Sequence, residues 1–174
     1  MVTSRRFAHF KRNVAPPRMK EIPEGGFCIS AFVIISKTNT PEQVLVGRIN
    51  KKAPWDHIGA LDPERVARHS KGWMLPSSAL MIGESPKEAA ERILKEQLGV
   101  ADQPLGGPFV FSEVYGPTRH WDLEFLFLGQ RDSTPSNKVW RELKFIDLTK
   151  TKENMARGHE DILAHIGKQK ASID

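Results

Sequence analysis

The sequence predicts an α/β protein, and three observations predict it. Residues 84–100 read as a capped amphipathic helix. Ahead of it, two apolar runs at 27–35 and 43–48 have the length and composition of strands. Behind it, the alternating stretch 119–128 follows a Gly116-Pro117 turn signal. A chain of 174 residues is ample for one hydrophobic core and short for two, so one domain is expected.

The formal charge is +5, and residues 1–25 carry most of the excess. There Arg5, Arg6, Lys11, Arg12, Arg18 and Lys20 are opposed only by Glu21 and Glu24, and Phe7, His9 and Phe10 interleave with them. Such an extension suits RNA or nucleotide phosphates through charge and stacking. It suits a solubilising tail or a strap equally well. The first strand holds Cys28, the single cysteine, which reads as a packed thiol and excludes an internal disulfide or a multi-cysteine zinc site. The second strand, 43–48, pairs with it across Asn39-Thr40-Pro41. Within 51–71, Asp62-Pro63 starts one short helix.

The central helix is built from local rules. Ser85 with Glu88 forms a capping box, and Pro86 suits the first helical position, where no backbone donor is needed. At 3.6 residues per turn, Ala89, Ala90, Ile93, Leu94 and Leu98 fall on one side. Gly99 ends the helix as a residue free to take positive φ.

These residues resemble the Nudix box: a Gly, five residues, Glu, seven residues, then Arg-Glu-apolar-any-Glu-Glu-any-Gly-apolar. Glu84, Arg92, Leu94, Glu96, Gly99 and Val100 match, while Ser78, Ile93 and Gln97 stand where Gly, Glu and Glu are expected. Gly72-Trp73-Met74-Leu75-Pro76 looks like the family's strand entering the box. After the box, 108–115 and 119–128 are expected to pair antiparallel. Residues 140–148 look like the last strand and 158–166 the final helix. The resemblance covers about residues 26–167 and implies a mixed β-sheet sandwiched between helices. The leader 1–25, the 51–71 insertion and the tail 168–174 fall outside it.

The resemblance implies chemistry as well: a divalent cation, magnesium or manganese, held on this helix to activate water against a diphosphate bridge. Magnesium wants about six oxygen ligands, commonly one or two carboxylates plus waters and phosphates. Spacings of three and four residues put positions 93, 96 and 97 on one helix face, which here carries Ile93, Glu96 and Gln97. Glu96 is the candidate for a surviving metal contact and for catalysis, or else a solvated partner of Arg92. Gln97 keeps a weakly coordinating oxygen, and Ser78 sits in the loop whose carbonyl approaches the metal. Ile93 reads as a core residue. Glu84, Arg92 and Gly99 read as structural parts of the motif.

Glu124, with Asp122 on the same strand face, is a candidate replacement base or part of an outward polar face. Arg48 at a strand end, with Trp55 and Trp73 as stacking surfaces or core, makes the candidate substrate set. Glu142 and Glu160 are weaker acid candidates, and the His159-Glu160-Asp161 cluster reads more readily as a helix cap.

Two function classes follow. One is a metal-dependent hydrolase with reduced or relocated acids; the other is a module holding a nucleotide or RNA without cleaving it. The reading favours recognition of a nucleoside-diphosphate-linked ligand with standard hydrolysis weak or lost. No apolar run approaches the roughly 20 residues that cross a bilayer. With no apolar leader core, a cytoplasmic location is expected. A homodimer through 108–115 is a further expectation, from the habit of the family.

Overall fold

The structure, a computed structural model, describes Arg18 and residues 21–115, 119–147 and 154–171. Most of the basic leader, the Gly116-Pro117 turn and the last residues of the tail lie outside the described residues.

Six strands form one sheet: β1 (Phe27–Ser36), β2 (Gln43–Ile49), β3 (Ser77–Ala79), β4 (Gly106–Tyr115), β5 (His120–Gln130) and β6 (Trp140–Asp147). Their order is β4-β5-β1-β2-β6, with β3 added to β1. β5 lies parallel to β1 from Phe27↔Trp121 to Ser36↔Gln130, and β4 lies antiparallel to β5, as expected. β1 and β2 pair only at Ser36↔Val44 and then part. The segment before the helix fills the gap, with Met74 bridging to Gly47 on one side and Ser77–Ala79 pairing with Ser30, Ala31 and Phe32 on the other.

The period of two along β1 decides the layers. Phe32 and Ile34 point into one apolar cluster with Trp73, Leu126 and the Ile162, Leu163 and Ile166 of α4 (His159–Ala171). Ala31, Val33 and Ile35 point the other way, onto Ala89, Ala90, Ile93, Leu94 and Leu98. The latter belong to α3 (Pro86–Ile93) and the π-helical turn Leu94–Leu98 that continues it. A mixed sheet therefore lies between helices. A third cluster, Ile49, Trp55, Ile58, Leu61, Val66 and Trp140 among its members, anchors the 51–71 segment.

Three elements differ from expectation. The strand expected at 72–76 is displaced to 77–79, and Trp73 and Met74 make single bridges. Trp73 is engaged by the far end of the chain: its N–H donates to Asn154 O, and its carbonyl accepts from Ala156 N–H. Gly72 permits this approach, since a Cβ there would lie 2.8 Å from the Cβ of Ala156. The 51–71 segment holds two helices rather than one, α1 (Trp55–Ile58) and α2 (Pro63–His69). Asp62 caps α2 as its sequence predicts, while α1 forms around a buried Trp55 whose indole donates to Asn50 O. Finally, α4 runs to Ala171, past the expected end at 166.

Candidate functional site

The motif points to the helix side of the sheet. The capping box is present, with Ser85 Oγ accepting from Glu88 N–H and Glu88 Oε2 accepting from Ser85 N–H. Arg92 donates to both oxygens of Glu84 at 2.7 and 2.9 Å, to Ser78 Oγ and to Ala79 O. Glu84 also accepts from Met81 N–H. Arg92 and Glu84 thus brace the loop entering the helix.

The helix does not end as a regular α-helix. Val100 N–H reaches back to Leu94 O, and Gly99 closes the turn at φ 67°. The three box positions do not share one environment. Ile93 and Gln97 are both fully buried, whereas the Glu96 side chain keeps 31% exposure. Gln97 is also fully engaged: Oε1 accepts from Ser77 N–H, and Nε2 donates to Ser77 O and Ile58 O. Its amide ties the box loop to α1. Ser78 donates to Ala79 O and is buried. Glu96 sits 3.9 Å from Arg92 in an acidic groove with His57, Glu84 and Glu88.

Those residues do not fit the dication that the box resemblance implies. Ile93 offers no ligand atom, the oxygen of Gln97 is already an acceptor, and Glu84 is held by Arg92. Of the box positions 93, 96 and 97, Glu96 alone carries a carboxylate, where a hard ion wants several charged oxygens.

The proposed stacking residues need correction. Trp55 and Trp73 are each 1% exposed, so neither indole offers a face to a base. Trp55 packs edge-on against Trp140, and Trp73 lies under the Arg48 guanidinium and the Lys144 ammonium, both 4.3 Å from its ring. Arg48 therefore covers core.

The opposite face of the sheet is different. A cavity of about 500 Å³ opens between β1, β5, α2 and the start of α4. Alternation puts Cys28 and Ser30 of β1 and Asp122 and Glu124 of β5 on its floor. Arg65, Arg68 and His69 enter from α2, and Arg157 and His159 from the other wall. Glu124 and Glu96 line separate cavities, so the carboxylates of β5 are not brought to the motif helix.

Three shielded polar atoms around this cavity have no hydrogen-bond partner among the described residues: Glu124 Oε2, Arg157 Nη1 and His159 Nε2. Buried polar groups are nearly always paired, so three in one cavity mark a place for a ligand or water. The His159 ring stands edge-on to Phe32, and its Nδ1 accepts from Leu75 N–H, so the neutral ring carries its proton on Nε2. Burial and the Arg157 charge keep it neutral by holding its pKa well below the usual value. Burial, then Asp122, pushes Glu124 up to about 8. At neutral pH it is mostly a protonated acid able to donate. Burial and the charge of Arg65 bring Arg157 down to about 10, so it stays charged. Burial and the arginines hold His69 at about 4.

Arg157 also has φ 66°, in the left-handed region, followed by Gly158 at φ 70°. A non-glycine residue there costs about 1–2 kcal/mol, and such strain gathers at functional sites. The cavity thus converges donors from Arg157, His159 and protonated Glu124 on one volume. Sequence reasoning reached Glu124 and Asp122 but missed Arg157, Arg65, Arg68 and His69, and read His159 as a cap. The available signal was the basic cluster of α2, with cations three and four residues apart.

No protein-family model matches the sequence, and no curated protein matches it either. Solved structures do match the fold. A MutT protein from Methanosarcina mazei Go1 superposes with a TM-score of 0.61 at 17% identity, covering 86% of this chain and 97% of that one. A mutT/nudix family protein from Listeria innocua gives 0.58 at 18% identity, over 86% and 96%. The E. coli dihydroneopterin triphosphate pyrophosphohydrolase gives 0.50 at 17%, over 70% and 81%. The chain has the Nudix fold.

Proposed function

We propose that this protein recognises a nucleotide-derived, phosphate-bearing small molecule in the cavity between β1, β5, α2 and the start of α4, and that the metal-dependent hydrolysis tied to the box helix is weak or lost. Gln97 carries the second half of this reading: its amide is spent on Ser77 and Ile58, beside a buried Ile93. The convergent donors of Arg157, His159 and Glu124 support the first half, because they match the oxygens of a phosphorylated ligand. The acids Asp62, Glu64, Glu113 and Asp161 share the lining, and Glu64 pairs with Arg68. The fold neighbour that acts on dihydroneopterin triphosphate makes a nucleotide-like triphosphate a sensible first probe.

One observation favours a second reading, a hydrolase with relocated acids. Glu124 titrates near neutrality and could move a proton. Calorimetric titration of a nucleotide panel in chelator, beside cleavage assays with magnesium or manganese, separates the two. Metal-independent binding without turnover is expected. Turnover abolished by Glu96→Gln would overturn the proposal, and turnover abolished only by Glu124→Gln would establish the second reading.

The expected homodimer would use the edge strand β4, where Val110 and Val114 are half exposed. Sedimentation of the full chain tests it. RNA binding through the leader would appear as salt-sensitive affinity lost on its removal.

A further inference from the structure

We propose that Cys28, His120 and Asp122 form a site for one zinc-type divalent ion, with its fourth coordination position open to the cavity. This inference does not rest on the cavity holding a nucleotide.

The placement follows from register. Cys28 of β1 pairs directly with Asp122 of β5 in the parallel ladder. His120 lies two residues before Asp122, on the same strand face. One ligand atom from each comes together, all within 4.8 Å of one another. Asp122 is the hub: its carboxylate lies 3.2 Å from His120 Nε2 and within 4.8 Å of the Cys28 thiol. Zinc bonds of about 2.0–2.3 Å put tetrahedral ligand pairs about 3.3–3.8 Å apart. The cluster therefore needs only a modest contraction.

The donor set also chooses the ion. A thiolate, an imidazole and a carboxylate suit a borderline-soft tetrahedral cation and are poor for magnesium or calcium, which want oxygen alone. Cys28 gives up its thiol proton on binding, so one thiolate and one carboxylate balance the double charge. His120 is fully buried, which limits the ring's movement, while Cys28 and Asp122 both line the cavity. Three protein ligands with one open position are the arrangement of a zinc ion that takes water or a ligand.

The test uses the full chain without a polyhistidine tag, stripped with chelator and titrated with cobalt(II). One equivalent is expected to give intense visible bands of tetrahedral cobalt and a near-ultraviolet thiolate-to-cobalt band, both removed by zinc and unaffected by magnesium. Cys28→Ser should abolish the near-ultraviolet band, and Asp122→Asn should weaken binding at least tenfold. Glu96→Gln should change neither, which separates this site from the acidic groove. Wild-type protein showing no thiolate band, or a band that survives Cys28→Ser, would overturn the site. Nucleotide affinity in chelator is a separate readout, so the two proposals fail independently.

Discussion

The two faces of the sheet differ in how they use their shielded polar atoms: on the helix side Ser77 Oγ and Glu96 Oε2 lack a hydrogen-bond partner among the described residues, and on the cavity side three such atoms line one volume. On the helix face, the buried amide of Gln97 makes three hydrogen bonds to backbone, and Arg92 meets Glu84, Ser78 and Ala79. On the cavity face, Glu124, Arg157 and His159 each keep a shielded atom with no partner among the described residues. A satisfied network stabilises a fold; unsatisfied groups cost free energy and persist where something else completes them. Under the proposed function, the face that carries the sequence motif is mainly structural and the cavity face binds.

The largest effect expected is a failed restoration. Gln97→Glu returns the residue type of the box but puts a carboxylate against Ser77 O and Ile58 O, which lose their donor. An uncompensated buried charge costs about 3–5 kcal/mol. Thermal or denaturant unfolding should show that loss, with no gain in magnesium affinity. A stable variant that binds magnesium and cleaves a diphosphate would erase the contrast between the faces.

Next is Arg157. Truncating a charged group that a buried ligand pairs with costs about 2–5 kcal/mol in affinity, so Arg157→Gly should weaken ligand binding at least thirtyfold. Because φ is 66° there, glycine also relieves backbone strain worth about 1 kcal/mol. Weaker binding in a protein of equal or greater stability is the expected pair of results. A parallel loss of both would make Arg157 a structural residue and sink the comparison.

Much of the fold was legible because it rests on local rules. The Ser85 capping box, the period of Ala89, Ala90, Ile93, Leu94 and Leu98, and the Gly99 stop all operate within one turn of the residues that reveal them. The strands announced themselves through apolar runs and alternation. The candidate site was less legible, for two reasons. Its groups come from β1, β5, α2 and the 157–159 corner, and no period or spacing links Arg157 to Glu124. On the helix, the α-spacing argument placed 93, 96 and 97 together, but spacing does not say which side of that face is covered, and Gln97 is buried with Ile93 while Glu96 stays partly exposed. Trp55 and Trp73 went the same way: an indole suits a ligand or a core, and only packing chose.

A smaller effect comes from pH. Glu124 is held at about 8, above its unfolded value of 4.5, so the folded chain binds its proton more tightly. Its contribution is fully present below the unfolded pKa and is lost as pH rises toward 8. His69, lowered to about 4, works the other way: it adds stability as pH rises toward 6.5 and nothing beyond. Between pH 6.5 and 8 the Glu124 slope stands clear of both His69 and His159, and it amounts to up to about 2 kcal/mol. Unfolding measured across that window should fall for the wild type and stay flat for Glu124→Gln. Identical slopes would mean that Glu124 is not the neutral acid the cavity requires.

The smallest change tests the other half of the contrast. In Ser85→Ala the N–H of Glu88 loses its acceptor, and a lost cap of this kind costs about 1 kcal/mol. The site sits at the start of α3, on the far side of the sheet from the cavity, so ligand affinity should not move. Together with Arg157→Gly this gives a crossed pattern: a change on the helix face lowers stability and spares binding, and a change on the cavity face lowers binding and spares stability. Calorimetric titration of the Ser85→Ala protein decides the matter. Affinity that fell with the cap would mean that the motif helix still takes part in holding the ligand, and that the division of labour between the two faces is false.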